Sequence, residues 1–252
     1  MMAVELKVAI DTIVNSLTND ENVEAIFLRG SIARNEHDAY SDIDLYCVVK
    51  DVPSFLPHRI RHLETYKPLI FADDIFIIAP QILGVYENML HIDFFTVTYE
   101  EISQKDAIKI LYDPFNRLSG LQAEASLTLK EEDFQASVDD TVWFMYQYKM
   151  SARRKNDIWC LHLLHLLLPH FSRVLLHRYV PERANLGMKT LEAHLPPAIL
   201  ADFKSVMNDM TIERHPIAAD KLLSMINAES EWMLTHAMDR EKIEPLWLRL
   251  KS

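Results

Sequence analysis

Glycine is scarce in this chain, with 4 among 252 residues. It is the default residue for tight turns and for close approach of backbone to a ligand, so each one marks a position to account for. Cysteine is scarcer still. Cys47 and Cys160 cannot build a disulfide framework, and both lie inside apolar runs, as buried free thiols in a reducing cytosol do. The most apolar stretch, Ile158 to Leu168, holds His162 and His165, meets Pro169, and is too short to span a bilayer. The opening MMAVELKVAIDTIVNSL carries acids and lacks the basic start and apolar core of a secretory leader. A soluble, cytoplasmic protein with no membrane partner is expected. Basic residues are also short: 26 Lys and Arg against 37 Asp and Glu, a formal charge of −11. A nucleic-acid partner needs clustered Lys and Arg along its phosphates, so none is expected.

What the chain does have is material for a core, since 49% of its residues are hydrophobic and 25% charged. At roughly 150 residues per domain, this length makes one large domain or two modest ones. Acidity is concentrated at one end. Residues 1–120 hold 10 Lys and Arg against 19 Asp and Glu, and the remainder 16 against 18. An acidic N-terminal half suits divalent cations or a cationic substrate, and equally a solvated acidic surface.

Val8, Ile10, Ile13, Val14 and Leu17 recur with helical spacing, which predicts a helix over residues 4–17. Strands are expected at 23–28 and 42–50, separated by a helical turn at 31–34 and a polar loop at 35–41. A helix is expected at 57–66. Further strands are expected near 75–78 or 83–86, at 90–97 and at 108–112. Beyond a linker or loose helix at 118–126 no strand is indicated. Amphipathic segments run over 134–155, 158–179, 198–210 and 217–234, with Pro169, Pro181, Pro196, Pro197 and Pro216 at ends or kinks. The fold class is α+β, a small mixed sheet with flanking helices (1–117), followed by an all-α helical bundle (118–252).

One constellation carries chemistry. Phe27-Leu28-Arg29-Gly30-Ser31 is followed, after ten residues, by Asp42-Ile43-Asp44-Leu45. The chain leaves a buried strand and turns into a helix at Gly30-Ser31, where a missing Cβ and backbone N–H groups admit phosphate oxygens. The Ser31 hydroxyl adds a donor. Asp42 and Asp44 are two apart on a strand, so their carboxylates project from one face. Side by side they repel unless a cation neutralises them, and hard oxygen ligands suit Mg²⁺. Gly-Ser alone, or Asp-x-Asp alone, occurs often by chance; the ordered combination is specific.

The segment GSIARNEHDAYSDIDLYCVV resembles the signature of the DNA polymerase β-like nucleotidyltransferase superfamily, and looks closest to the aminoglycoside and lincosamide nucleotidyltransferases. The resemblance implies that Gly30 and Ser31 hold a nucleoside triphosphate and that Asp42 and Asp44 bind two divalent ions. Arg34 and Ser41 resemble residues that commonly accompany this motif, Arg34 as a nucleotide-binding residue. Asn35 departs from the pattern, since relatives often have Gly there, and this bears on the loop rather than on the chemistry.

A two-metal site needs a third ligand and a base for the acceptor hydroxyl. Asp93, inside Met89-Leu90-His91-Ile92-Asp93-Phe94-Phe95-Thr96-Val97, is costly in such an apolar strand unless paired or metal-bound. The resembling family carries its third acid on a comparable strand after a hairpin. Asp73 and Asp74 read instead as a turn before a strand, and Glu87-Asn88 as the hairpin turn.

In the helical half, Trp143 to Trp159 resembles the start of the family's C-terminal domain. Lys149, one turn from a tyrosine, stands as a phosphate-reaching residue or as a snorkelling side chain on an amphipathic helix. Asp157 stands as an acceptor-orienting acid or, like Asn156, as a helix N-cap. His162, His165, His170 and His177 read as core or interhelical residues rather than a zinc set.

The implied activity is metal-dependent transfer of a nucleoside monophosphate from an NTP, with ATP expected, to a hydroxyl of a small molecule. An aminoglycoside-like polycation, and with it an antibiotic-modifying role, suits the acidic half. The alternatives are a protein-modifying (AMPylating) enzyme of the antitoxin type and a nucleotide-binding regulator without turnover. Apolar surface on the long helices leaves room for a homodimer.

Overall fold

The computed structural model describes residues 2–102, 107–121 and 127–251. Two compact units form, 1–126 and 127–252. The sequence division at 117/118 falls short of this because Leu118 is fully buried in one apolar cluster with Phe27 and Val48 of the sheet. Of the expected linker at 118–126, residues 122–126 lie outside the described residues.

The first unit begins with α1 (Met2–Leu17), β1 (Val23–Leu28), α2 (Gly30–Ala33) and β2 (Ile43–Val49). Short α3 (Val52–Phe55) and α4 (Ile60–Leu63) follow, with a 3₁₀ turn at Leu56–His58 between them. Then come β3 (Leu69–Phe76), β4 (Pro80–Tyr86), β5 (His91–Val97) and β6 (Lys109–Tyr112). The helix expected over 57–66 is thus broken. Two strands, not one, precede β5, and Asp73 and Asp74 lie within β3 opposite Leu83 and Ile82 rather than in a turn. Acids are tolerated there because β3 is an edge strand, with Asp73 in water and Asp74 exposed and bonded by Arg59.

The sheet order is β3-β4-β5-β2-β1-β6, antiparallel except for the parallel pair β2–β5. The strands alternate between two buried faces. Ile43, Leu45, Cys47 and Val49, with Ile92 and Phe94, meet the α1 stripe of Leu6, Ala9, Ile10, Ile13 and Leu17. Phe27, Tyr46, Val48, Phe95 and Val97 occupy the other face. There Phe27, Tyr46 and Phe95 stack across three strands at 4.9 and 4.3 Å between ring centroids.

The second unit is helical: α5 (Glu131–Arg153), α6 (Asp157–Tyr179), α7 (Leu191–His194), α8 (Pro197–Asn208), α9 (His215–His236) and α10 (Arg240–Leu250). Its core joins Val138, Val142 and Met145 to Leu164, Leu167 and Phe171, with Leu222, Ile226 and Trp247 closing it. Pro169 lies inside α6 without ending it. By length and composition alone α6 could cross a membrane, but 50% of its most apolar window is buried, as in a core helix. His162 packs on Trp159, His170 on Phe144 and His177 on Phe134, and none joins a metal-holding group among the described residues.

Candidate active site

The Arg29 amide donates to the Asp44 carbonyl at 3.0 Å, extending the β1–β2 ladder by one residue before the chain turns. The turn is made by Gly30 in the left-handed region at φ 64°. A Cβ built there would lie 2.0 Å from Oδ2 of Asp44. Only glycine therefore lets this turn lie against that carboxylate, which explains one of the chain's few glycines. Ser31 follows within α2. Asn35 adopts φ 58°, a conformation that glycine favours and asparagine tolerates, so its departure from the expected pattern keeps the loop geometry. Arg34 pairs with Glu36 at 2.9 Å through its Nε. Ser41 Oγ accepts from the Asp38 amide at 2.9 Å, while Asp38 Oδ1 accepts from the Tyr40 amide at 2.8 Å. Ser41 thus shapes the approach to Asp42.

Asp44 on β2 is the direct partner of Asp93 on β5. Both project from the face that carries Tyr46 and Phe95, because side chains two apart share a face. Asp93 Oδ1 accepts from Nε2 of buried Gln81 at 2.8 Å, which fixes the carboxylate. His91, two residues earlier on β5, lies with Nε2 3.5 Å from Asp93 and Nδ1 3.9 Å from Asp42. Ligand atoms of Asp42, His91 and Asp93 lie within 4.8 Å of one another. A donor set of carboxylates, with Asp44 in register, fits a hard divalent cation. His91 and Gln81 escaped the sequence reading. His91 carried a signal, its two-residue spacing from Asp93, but Gln81 is brought in by strand pairing alone.

Two cavities flank these residues. One of about 310 Å³ is lined by Asp38, Tyr40, Ser41, Met89 and His91. The other, about 390 Å³, is lined by Arg29, Tyr46, Ala79, Val97 and Glu101 on the aromatic face. Arg29 lies over Tyr46 there, its guanidinium carbon 4.9 Å from the ring centroid.

The rival acids are engaged elsewhere. Asp74 is bonded by buried Arg59, and Glu87 stands 3.9 Å from Lys67 at the hairpin. In the helical unit, the Lys149 ammonium donates to the carbonyl of Leu250. Asn156 caps α6 by accepting from the Trp159 amide at 3.4 Å, and Asp157 lies 3.4 Å from Nε2 of His215.

Residues 11–79 match the family described as polymerase beta, nucleotidyltransferase. The matched segment, inside the N-terminal unit, is of the polymerase β nucleotidyltransferase type and supports a nucleotidyltransferase enzyme. The match takes in Gly30, Ser31, Asp42 and Asp44 and ends before Asp93. Among solved structures, the chain is similar to an aminoglycoside 6-adenyltransferase from Bacillus subtilis, with 12% identity, 96% of each chain covered and a TM-score of 0.39. It is also similar to a nucleotidyltransferase-like protein from Exiguobacterium sibiricum, with 11% identity, 93% of this chain and 77% of that one covered, and a TM-score of 0.41. No curated protein sequence gives a significant match.

Proposed function

We propose that this protein moves a nucleoside monophosphate from an NTP, with ATP the expected donor, to a hydroxyl group of a small molecule. The register of Asp44 with Asp93, beside Asp42 and against the Gly30 turn, carries this reading. Asp42, Asp44 and Asp93 would hold two Mg²⁺ ions, which when bound neutralise triphosphate charge and favour the ionised acceptor. The Gly30-Ser31 turn receives the triphosphate, and the Ser31 hydroxyl donates to a phosphate oxygen. Arg34 adds positive charge beside that turn. Asp93, aimed by Gln81, takes the proton from the acceptor hydroxyl, whose oxygen attacks the α-phosphorus. The bond from that phosphorus to the pyrophosphate oxygen breaks as the new ester forms. Lys149, the other expected phosphate-reaching residue, donates to the Leu250 carbonyl within the helical unit.

The acceptor we favour is a polycation of the aminoglycoside type, because 19 acids against 10 bases in residues 1–120 attract one. The test is incubation with ATP, Mg²⁺ and a panel of aminoglycosides and lincosamides, read as acceptor-dependent pyrophosphate release. Undiminished release by an Asp42→Ala/Asp44→Ala double variant would overturn the mechanism. A labelled protein band after incubation with labelled ATP and lysate would instead assign the hydroxyl to a protein.

A further inference from the structure

Where α1 gives way to β1, Asp20 meets two histidines of the broken helical segment 56–63. We propose that Asp20, His58 and His62 form a binding site for a divalent cation of the zinc class, chemically distinct from the carboxylate cluster of the active site. Oδ2 of Asp20 lies 3.2 Å from Nε2 of His62 and 3.4 Å from Nε2 of His58. All three ligand atoms fall within 4.8 Å of one another. A tetrahedral zinc site with bonds of about 2.1 Å has ligand-to-ligand edges of about 3.4 Å, so two edges stand at the required length.

The surroundings hold these groups as outer partners hold metal ligands. Ser16 Oγ lies 2.9 Å from Nδ1 of His62; with the Nδ1 proton donated to Ser16, the Nε2 lone pair faces Asp20. The other Asp20 oxygen, Oδ1, accepts from the Asn22 amide at 2.9 Å, which turns Oδ2 toward the histidines. Buried Phe55 stacks on the His62 ring at 5.7 Å and meets the His58 ring edge-on at 5.5 Å. His58 is 32% exposed, which leaves the cation a side open to water. Arg61, on the rim and 63% exposed, reaches the same Asp20 oxygen at 3.5 Å and would be displaced into solvent. The spacing His58-x₃-His62 brings both rings to one side of a helical turn, and the carboxylate arrives from a different element. A cation here would therefore tie the end of α1 to the segment that follows β2.

The test uses the full chain carrying Asp42→Ala and Asp93→Ala, so that the active-site cluster does not contribute, after chelator treatment. Co²⁺ is titrated in, followed by its visible absorption, and then displaced by Zn²⁺. One equivalent with a tetrahedral or five-coordinate spectrum is expected, and His58→Ala or Asp20→Asn should abolish it. Ser16→Ala should weaken binding by about 10- to 100-fold, the usual effect of losing an outer-shell partner. Arg61→Ala should tighten it. Circular dichroism in chelator verifies that each variant is folded, and His58→Gln, at a partly exposed ring, replaces any that is not. Absence of saturable binding in the parent, or unchanged binding in the folded His58 variant, overturns the site.

Discussion

Asp44 and Asp93 face each other across the parallel β2–β5 pairing, one step of the ladder apart. Adjacent strands lie about 4.8 Å apart, which sets two acids side by side on one face, where the divalent cations are proposed to bind. Asp44→Asn should therefore abolish acceptor-dependent pyrophosphate release. Asp93→Asn should lower kcat by roughly 10²- to 10⁴-fold, the usual span for removing a general base. Undiminished pyrophosphate release by Asp44→Asn would remove that carboxylate from the chemistry.

Gly30 is the second lever on the same carboxylate. Gly30→Ala places a methyl group 2.0 Å from Asp44 Oδ2 in a left-handed conformation. The backbone alone costs about 1–2 kcal/mol for a residue with a Cβ, and the carboxylate must also move. Loss of turnover should accompany a lowered melting temperature. Gly120→Ala, where an added Cβ meets nothing within 4 Å, is the control and should change neither.

Gln81 acts on Asp93 from the neighbouring strand. Its amide nitrogen is 2.8 Å from the carboxylate, and its side chain is buried. Gln81→Met keeps the volume and removes the donor. It should lower kcat about 10- to 100-fold, as loss of an outer-shell partner does, with little change in the acceptor KM. An unchanged kcat would place Gln81 outside the mechanism.

How much of this was legible beforehand depends on how local each signal is. Gly30-Ser31 and Asp42-x-Asp44 could be read because the turn and the period-two face are properties of a dozen consecutive residues. Asp93 stands out through the cost of an acid among Ile92, Phe94 and Phe95. Its partner Gln81 was hidden, because the contact depends on β4–β5 register, which no short window contains. Asp73-Asp74 reads as a turn because acids usually punctuate strands, yet an edge strand accommodates both, one in water and one bonded by Arg59. The long helices announced themselves by periodicity. The final helix, α10, did not, because its charges and internal Pro245 mask the apolar positions Ile243, Trp247 and Leu250.

The helical unit should respond to acid through His177. Its ring stacks on Phe134 at 4.3 Å and lies near Trp232. Burial, with a smaller contribution from His236, holds its pKa below the ordinary imidazole value of 6.5. In the unfolded chain the ring takes a proton near pH 6.5, whereas in the folded unit it does so only at lower pH. Between those two values the unfolded state binds more protons, so stability rises with pH there and falls on acidification. One proton limits this slope to about 1.4 kcal/mol per pH unit. His170 acts in the same direction, since burial outweighs the opposing pull of Asp140, so some acid sensitivity remains after His177 is replaced. His177→Phe keeps a ring on Phe134 and removes the titration. Its melting temperature should fall less steeply than that of the parent below pH 6.5, with the two curves parallel above pH 7. Parallel curves over the whole range would mean that His177 titrates alike in the folded and unfolded chains.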